Sequence, residues 1–256
     1  MDPDFLRALA GHCRQLNPEF WFVGEVVMGD YRRWANAEML DSVTNYECYK
    51  GLYSSHVDHN YFEIAYSLNR LFGDEGIYRH LLLYSFADNH DVNRVASSLT
   101  AAEDLYPLYI LLFTMPGIPS IYYGSEWGIR GTRSAHSDKM LRPSIHLNAA
   151  ADTFPHPALA ETIQRLALLR QHLPALRQGT YRPLHTAHKQ FAFARTTAEQ
   201  TAVTAVNASA EAVTVRIPKI AGKQLVDRLN GQCVEIRNGS ADLTLYPHWG
   251  AVLTVE

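Results

Sequence analysis

Strand-like apolar segments alternate with helix-like segments along the first two thirds of this 256-residue chain. The predicted strands are 20–26, 39–45, 81–86 and 117–124, and the helical periodicities are 2–16, 61–71, 101–115 and 158–172. Strands that alternate with helices pair in parallel, so the pattern predicts an α/β parallel sheet or barrel. Asp2 and Gly73 are expected to cap their helices, and Pro107 is expected to kink the third helix or delay its start.

The pattern changes after Pro174, where short strand-like segments are separated by turn residues. Asn230-Gly231 and Asn238-Gly239 are strong hairpin signals. The predicted strands of this region are 191–194, 202–206, 213–217, 224–227, 243–245 and 251–255. We therefore expect two domains, an α/β domain over 1–173 and a small antiparallel β-sandwich over 174–256.

Charge and composition limit the possible partners. The chain has 23 Lys and Arg against 26 Asp and Glu, a net charge of -3, with no block of like charge, so nucleic acid is not an expected partner. No apolar run approaches the roughly 18 residues of a membrane span. The first residues lack the basic and apolar regions of a signal peptide, and three widely spaced cysteines indicate reduced thiols. These features predict a cytoplasmic protein.

Two predicted strands end in acidic residues. Strand 20–26 carries Glu25 near its end, and strand 81–86 leads into Asn89-His90-Asp91. The carboxyl ends of parallel strands are where α/β folds build active sites. Burial of Glu25 against Trp21 or Phe22 would favour the protonated form that a general acid needs. The alternative is that Glu25 forms an ion pair with Arg32 or Arg33.

The Asn-His-Asp sequence also has more than one interpretation. An ionised Asp91 can stabilise positive charge and His90 can donate to a sugar hydroxyl, or the segment is a polar turn that caps the next helix. Metal binding by these residues and by His56, Asp58 and His59 is not expected, because the i, i+4 spacing of helical zinc sites is absent. Two acids on neighbouring strand ends favour glycoside cleavage, which needs an acid and a second carboxylate.

Four segments in order resemble the α-amylase family of glycoside hydrolases. Residues 22–26 are similar to the family's segment with the general acid, and residues 86–91 to its Asn-His-Asp segment. Residues 115–126 are similar to its last barrel strand. The region that begins at residue 174 is similar to its C-terminal all-β domain. In that family, the acid lies on the fifth strand of a (β/α)₈ barrel and Asn-His-Asp on the seventh. The resemblance therefore implies the C-terminal half of a TIM barrel, strands 5–8, followed by a small antiparallel all-β domain.

The resemblance also implies roles for individual residues. Glu25 corresponds to the general acid/base and Asp91 to the carboxylate that stabilises the transition state. His90, Asn89 and Arg94 correspond to substrate-binding residues. No metal site or cofactor is expected in this chain, although calcium is possible in a longer parent protein.

The family's nucleophile has no counterpart here. In the family it is an Asp on the fourth strand, in a Gly-x-Arg-x-Asp type segment just ahead of a helix like residues 2–16. Asp30 lies in the loop after the acid and Asp41 near the start of a strand, so neither is a suitable substitute. We therefore expect the sequence to be the C-terminal part of a longer enzyme, with Met1 internal to it, and to be inactive alone.

The function implied for the parent is retaining hydrolysis of α-1,4-linked glucan oligosaccharides, as in maltodextrin or cyclomaltodextrin degradation. Transglycosylation on the same site is a close variant. The alternative from another class is a non-catalytic glucan-binding or interaction protein, or an inactive remnant.

Overall fold

The computed structural model describes residues 2–146 and 154–256. The helices are α1 Pro3–Leu16, α2 Tyr46–Val57, α3 Phe62–Phe72, α4 Val95–Ser98, α5 Leu105–Thr114, α6 Pro157–His172 and α7 Pro174–Gln178. The strands of the first domain are β1 Val23–Gly24, β2 Ser42–Val43, β3 Tyr84–Phe86 and β4 Ile118–Ser120. Those of the second are β5 Thr180–Thr186, β6 Gln190–Thr196, β7 Thr201–Asn207, β8 Val213–Pro218, β9 Gln224–Asp227, β10 Cys233–Glu235, β11 Ser240–Leu245 and β12 Trp249–Val255.

The four strands of the first domain run parallel in chain order. β1 pairs with β2 and β3 with β4, and a parallel bridge between Thr44 and Tyr84 links the two pairs. All four are shorter than the sequence predicts. Segment 20–26 is not buried on both faces, since Phe20, Trp21 and Val23 are 42%, 45% and 44% exposed. Their apolar side chains have no covering element among the described residues.

Helix α2 packs against α3 and β3, and α5 packs against α6 and β4. The Asp2 carboxylate accepts a hydrogen bond from the Asp4 amide and caps α1, as predicted. Helix α5 begins at Leu105, which leaves Pro107 in its first turn, where a missing amide donor costs little. Helix α2 was not predicted from the apolar spacing. Its Gly51 lies so close to α3 that an added Cβ would come within 3.2 Å of the Ile64 Cα, so glycine permits the tight packing of these helices.

The second domain is an antiparallel β structure. Six strands form one sheet in the order β10-β9-β12-β7-β6-β5, and β11 pairs with β8. Asn230-Gly231 joins the antiparallel strands β9 and β10, as predicted. Asn238 and Gly239 adopt φ values of 51° and 72° between the bridged residues Arg237 and Ser240, but the strands on either side enter different sheets.

The apolar core continues from the helices into the large sheet. Leu68 of α3 and Ile110 of α5 belong to the same buried cluster as Phe191 of β6 and Val252 of β12. A smaller cluster, which includes Val203 and Leu243, fills the space between the two sheets. No helix within 2–146 or 154–256 is both long and apolar enough to span a membrane.

Candidate active site

Glu25 directly follows β1, at the carboxyl end of the parallel strands. Its side chain is exposed, so the burial expected from the sequence is wrong. The Tyr46 hydroxyl, at the start of α2, donates a hydrogen bond to Glu25 Oε1 at 2.8 Å. The alternative, an ion pair between Glu25 and Arg32 or Arg33, is not seen either. Arg32 pairs with Asp30, and the Arg33 guanidinium lies over the Trp34 ring. Glu25 is thus accessible to a ligand and held by one hydroxyl group.

Asn89 connects Glu25 to the loop after β3. Its Nδ2 donates to the Tyr46 hydroxyl at 3.1 Å. Its Oδ1 accepts the backbone amides of Asp91 at 2.8 Å and Val92 at 3.2 Å, which forms a tight polar turn. Asn89 therefore fixes the loop that presents Asp91 and also orients the phenol that contacts Glu25.

Asp91 and His90 lie at the surface of this loop, each with nearly half of its side chain exposed. Asp91 Oδ2 is 3.4 Å from His90 Nε2. Arg142 Nη2 lies 3.2 Å from Asp91 Oδ1 and 2.8 Å from Asp138 Oδ2. The Asp91 carboxylate thus has the Arg142 guanidinium beside one oxygen and the His90 ring beside the other.

A buried polar group lies below the loop. Asp88, 3% exposed, accepts the Val95 amide and the Ser125 hydroxyl, both at 2.9 Å. Burial raises the pKa of Asp88 to about 6, although these hydrogen bonds and the nearby Arg94 charge act in the opposite direction. The loop is therefore anchored on a carboxyl group that titrates close to neutrality.

Arg94 is part of this support. It is completely buried and donates to the carbonyls of Leu141 and Tyr123 and to the Ser125 hydroxyl. Its guanidinium carbon lies 4.1 Å from the centre of the Tyr122 ring. Because Arg94 has no exposed surface, its place in the structure is beneath the site, and direct substrate contact does not fit this geometry.

A cavity of about 310 Å³ brings Glu25, Asn89 and His90 together, whereas Asp91 and Arg94 are not among the residues that line it. Its lining combines the strand-end groups with aromatic and hydroxyl side chains of the strands and the loop after β4: Glu25, Thr44, Tyr84, Phe86, Asp88, Asn89, His90, Ser120 and Tyr122. This volume lies at the lower end of the range for small-molecule sites. Aromatic faces with convergent hydroxyl, amide and carboxylate groups are suited to a polyhydroxylated ligand.

Tyr46, Asp88 and Arg142 were not identified from the sequence as site residues. Asp88 lies within segment 86–91, which resembles a family segment, so its position could have identified it. Arg142 lies in a distant loop, where no sequence signal identifies it. Among the described residues, no group of three or more His, Cys, Asp or Glu side chains is arranged to hold a metal ion. Both ring nitrogens of His56 are engaged, with the Leu52 carbonyl and the Tyr61 hydroxyl.

Comparison with known proteins shows which family this site belongs to. The family model described as "Alpha amylase, catalytic domain" matches residues 1–179, and that for "Maltogenic Amylase, C-terminal domain" matches 181–251. Neopullulanase 2 of Thermoactinomyces vulgaris is 30% identical over 263 residues, which cover 99% of this chain and 43% of that protein. A cyclomaltodextrinase of Geobacillus thermopakistaniensis is 23% identical over 100% of this chain and 43% of its own length.

Solved structures share the fold. An α-amylase from Geobacillus thermoleovorans, complexed with acarbose, matches with a TM-score of 0.84 at 22% identity, over 100% of this chain and 57% of that one. Ttha1563 from Thermus thermophilus matches with a TM-score of 0.82 at 25% identity, over 100% and 56%. The chain spans less than half the length of the two curated relatives named above. Matched along both of its domains, this chain belongs to the α-amylase family of glycoside hydrolases, which act on α-glucans.

Proposed function

We propose that the site binds an α-1,4-linked glucan, with Glu25 as general acid/base and Asp91 as the carboxylate that stabilises the developing positive charge. The observation that carries the proposal is the placement of both acids at the ends of parallel strands, connected through Tyr46 and Asn89. Glycoside cleavage requires this division of roles between a proton donor and a second carboxylate. Relatives named neopullulanase and cyclomaltodextrinase support the substrate class.

Each polar group has a specific role in this mechanism. The exposed Glu25 protonates the leaving oxygen, and the Tyr46 hydroxyl orients its carboxyl group. Asp91 provides negative charge beside the oxocarbenium-like centre, and His90 donates to a sugar hydroxyl. Asn89 and Arg94 hold this loop in position, Asn89 through its turn and Arg94 from below.

We further propose that these strands are strands 5–8 of a (β/α)₈ barrel. The attacking carboxylate would then come from polypeptide outside the 256 residues. Exposed apolar side chains support this: on α1, Phe5 is 63% and Leu16 is 76% exposed, and Leu82 beside β3 is 52% exposed. Apolar surface of this kind marks an interaction site. Strands 1–4 and their helices would cover it and close the barrel. A calcium ion, if the complete enzyme uses one, would bind in that other part.

Two measurements test this function. Calorimetry with maltoheptaose should show saturable binding to the 256-residue chain, and a chromogenic maltooligosaccharide should not be cleaved by it. Cleavage should be found in the longest in-frame polypeptide that contains these residues, and Glu25→Gln should abolish it. Binding without cleavage in both polypeptides would instead favour a non-catalytic glucan-binding protein. Products longer than the substrate would indicate transglycosylation.

A further inference from the structure

A second cavity lies at the opposite end of the parallel strands, between the two domains. Leu81 and Leu82, which precede β3, and Pro116 and Gly117, which precede β4, form one wall. Gly179, which lies between α7 and β5, forms another wall together with Thr180 and Tyr181 of β5. The cavity measures about 340 Å³. Because it lies at the amino ends of these strands, it is separate from the site at Glu25 and Asp91.

The cavity carries an excess of positive charge. Arg79, Arg177 and Arg195 line it together with His80, and Asp74 is the one carboxylate among the described lining residues. Within the described residues, none of the three guanidinium groups has a carboxylate oxygen within 4.0 Å. Three arginines against one carboxylate leave a net charge that the described protein groups do not neutralise.

Arg195 is the most constrained of these residues, at 2% exposure. Its Nε donates to the Gly179 carbonyl, and its Nη1 donates to the carbonyls of Thr114 and Leu176, each at 3.0 Å. Its Nη2 has no acceptor in the described part of the chain. Neutral carbonyls fix the orientation of this guanidinium but leave its charge uncompensated.

The electrostatic effect of this arrangement is visible in the buried arginines. Burial and, to a smaller extent, the charge of nearby Arg170 together lower the pKa of Arg195 to about 9. Burial together with the charge of Arg177 lowers the pKa of Arg170 to about 10. Uncompensated buried charge is costly, and a bound anion would remove that cost.

We propose that this interdomain cavity binds a small oxyanion, a phosphate group either free or carried by a sugar phosphate, through Arg79, Arg177 and Arg195. Arg provides paired donors that match phosphate geometry. The cavity is large enough for a group of this size, and its position between the domains would let the ligand cross-link them. This proposal is independent of the glucan chemistry at Glu25.

Calorimetric titration of the 256-residue chain tests the proposal, with inorganic phosphate, glucose 6-phosphate and glucose as probes. Saturable binding of phosphate is expected, weakening as NaCl is added, with no binding of glucose in this cavity. Arg177→Gln should weaken phosphate binding about tenfold. The matched control Arg216→Gln, on the far side of the β domain, should leave it unchanged, as should Glu25→Gln. Tighter binding of glucose 6-phosphate would identify a sugar phosphate, and equal binding would identify free phosphate.

Arg79→Gln keeps the test informative if Arg177→Gln is unstable. Because Arg79 is exposed, its replacement should not lower the Tm in phosphate-free buffer, yet it should weaken phosphate binding. The proposal is overturned if no saturable binding occurs up to about 10 mM phosphate. It is also overturned if both Arg177→Gln and Arg79→Gln bind phosphate as the unmodified chain does.

Discussion

The Tyr46 hydroxyl donates a hydrogen bond to Glu25 Oε1 at 2.8 Å and accepts one from Asn89 Nδ2 at 3.1 Å. A single phenol therefore connects the proposed acid to the loop that presents Asp91. The Tyr46 ring is held edge-on against Phe86, with centroids 5.0 Å apart, so the hydroxyl has a fixed position. This connection explains how an exposed glutamate keeps one orientation.

Tyr46→Phe should lower kcat about tenfold with KM changed by less than about twofold, because the hydroxyl positions Glu25 without binding substrate itself. The measurement is hydrolysis of a chromogenic maltooligosaccharide by the longest in-frame polypeptide. Tyr49→Phe is the matched control, since the Tyr49 ring stacks on Phe86 and its hydroxyl has no hydrogen bond in the described residues. Equal kcat values for the two variants would show that the Tyr46 hydroxyl is not needed.

Two buried groups should make stability depend on pH in opposite directions. Burial lowers the pKa of His56 to about 4 and raises that of Asp88 to about 6. The His56 contribution is present above its ordinary pKa of 6.5 and is lost as pH falls towards 4. The Asp88 contribution is present below its ordinary pKa of 3.8 and is lost as pH rises through 6. Each contribution is about 3 kcal/mol.

Variants at these two positions separate the effects. The unfolding free energy of the unmodified chain relative to His56→Gln should fall by about 3 kcal/mol between pH 6.5 and 4. Relative to Asp88→Asn, it should fall by about 3 kcal/mol as pH rises from 3.8 to 6. Urea unfolding at a series of pH values measures both. Parallel pH curves for a variant and the unmodified chain would refute that group's assignment.

Asp104→Asn should weaken the attachment of the two domains. The buried Asp104 carboxylate accepts from His59 Nε2 at 3.1 Å and from His248 Nδ1 at 2.8 Å, and His248 lies in the turn before β12. An amide has only one acceptor oxygen, so one histidine loses its acceptor and keeps a hydrogen bond only if its tautomer changes. Urea unfolding should show a loss of about 1–3 kcal/mol, against less than about 0.5 kcal/mol for the exposed neighbour Glu103→Gln. Equal losses would argue against this link.

The second domain was largely predictable because its strands alternate and its turns carry Asn-Gly. Strand β5 was missed, since Pro183 interrupts its pattern and its register shifts there. Helix α2 was missed because Gly51 and two serines conceal its buried face, which packs against α3, α5 and β3. Local periodicity does not carry information about such tertiary packing.

The candidate site was predictable to the extent that its residues follow strands. Glu25, Asn89, His90 and Asp91 were found in this way. The structure places the first three around one cavity and Asp91 in the turn held by Asn89. The exposure of Glu25 was not predictable, because an apolar run of strand type does not reveal which of its faces is covered. Arg142 reaches Asp91 from 51 residues away, a contact that depends on loop geometry.

The most direct test of the central claim is hydrolysis of a chromogenic maltooligosaccharide by the longest in-frame polypeptide, compared between the unmodified protein and Glu25→Gln. General-acid catalysis predicts a loss of about 10²–10⁴-fold in kcat for Glu25→Gln, with maltoheptaose binding retained. Asp138→Asn, which removes a neighbouring carboxylate that pairs with Arg142, should keep its activity. A Glu25→Gln protein that hydrolyses the substrate as fast as the unmodified one would contradict the account.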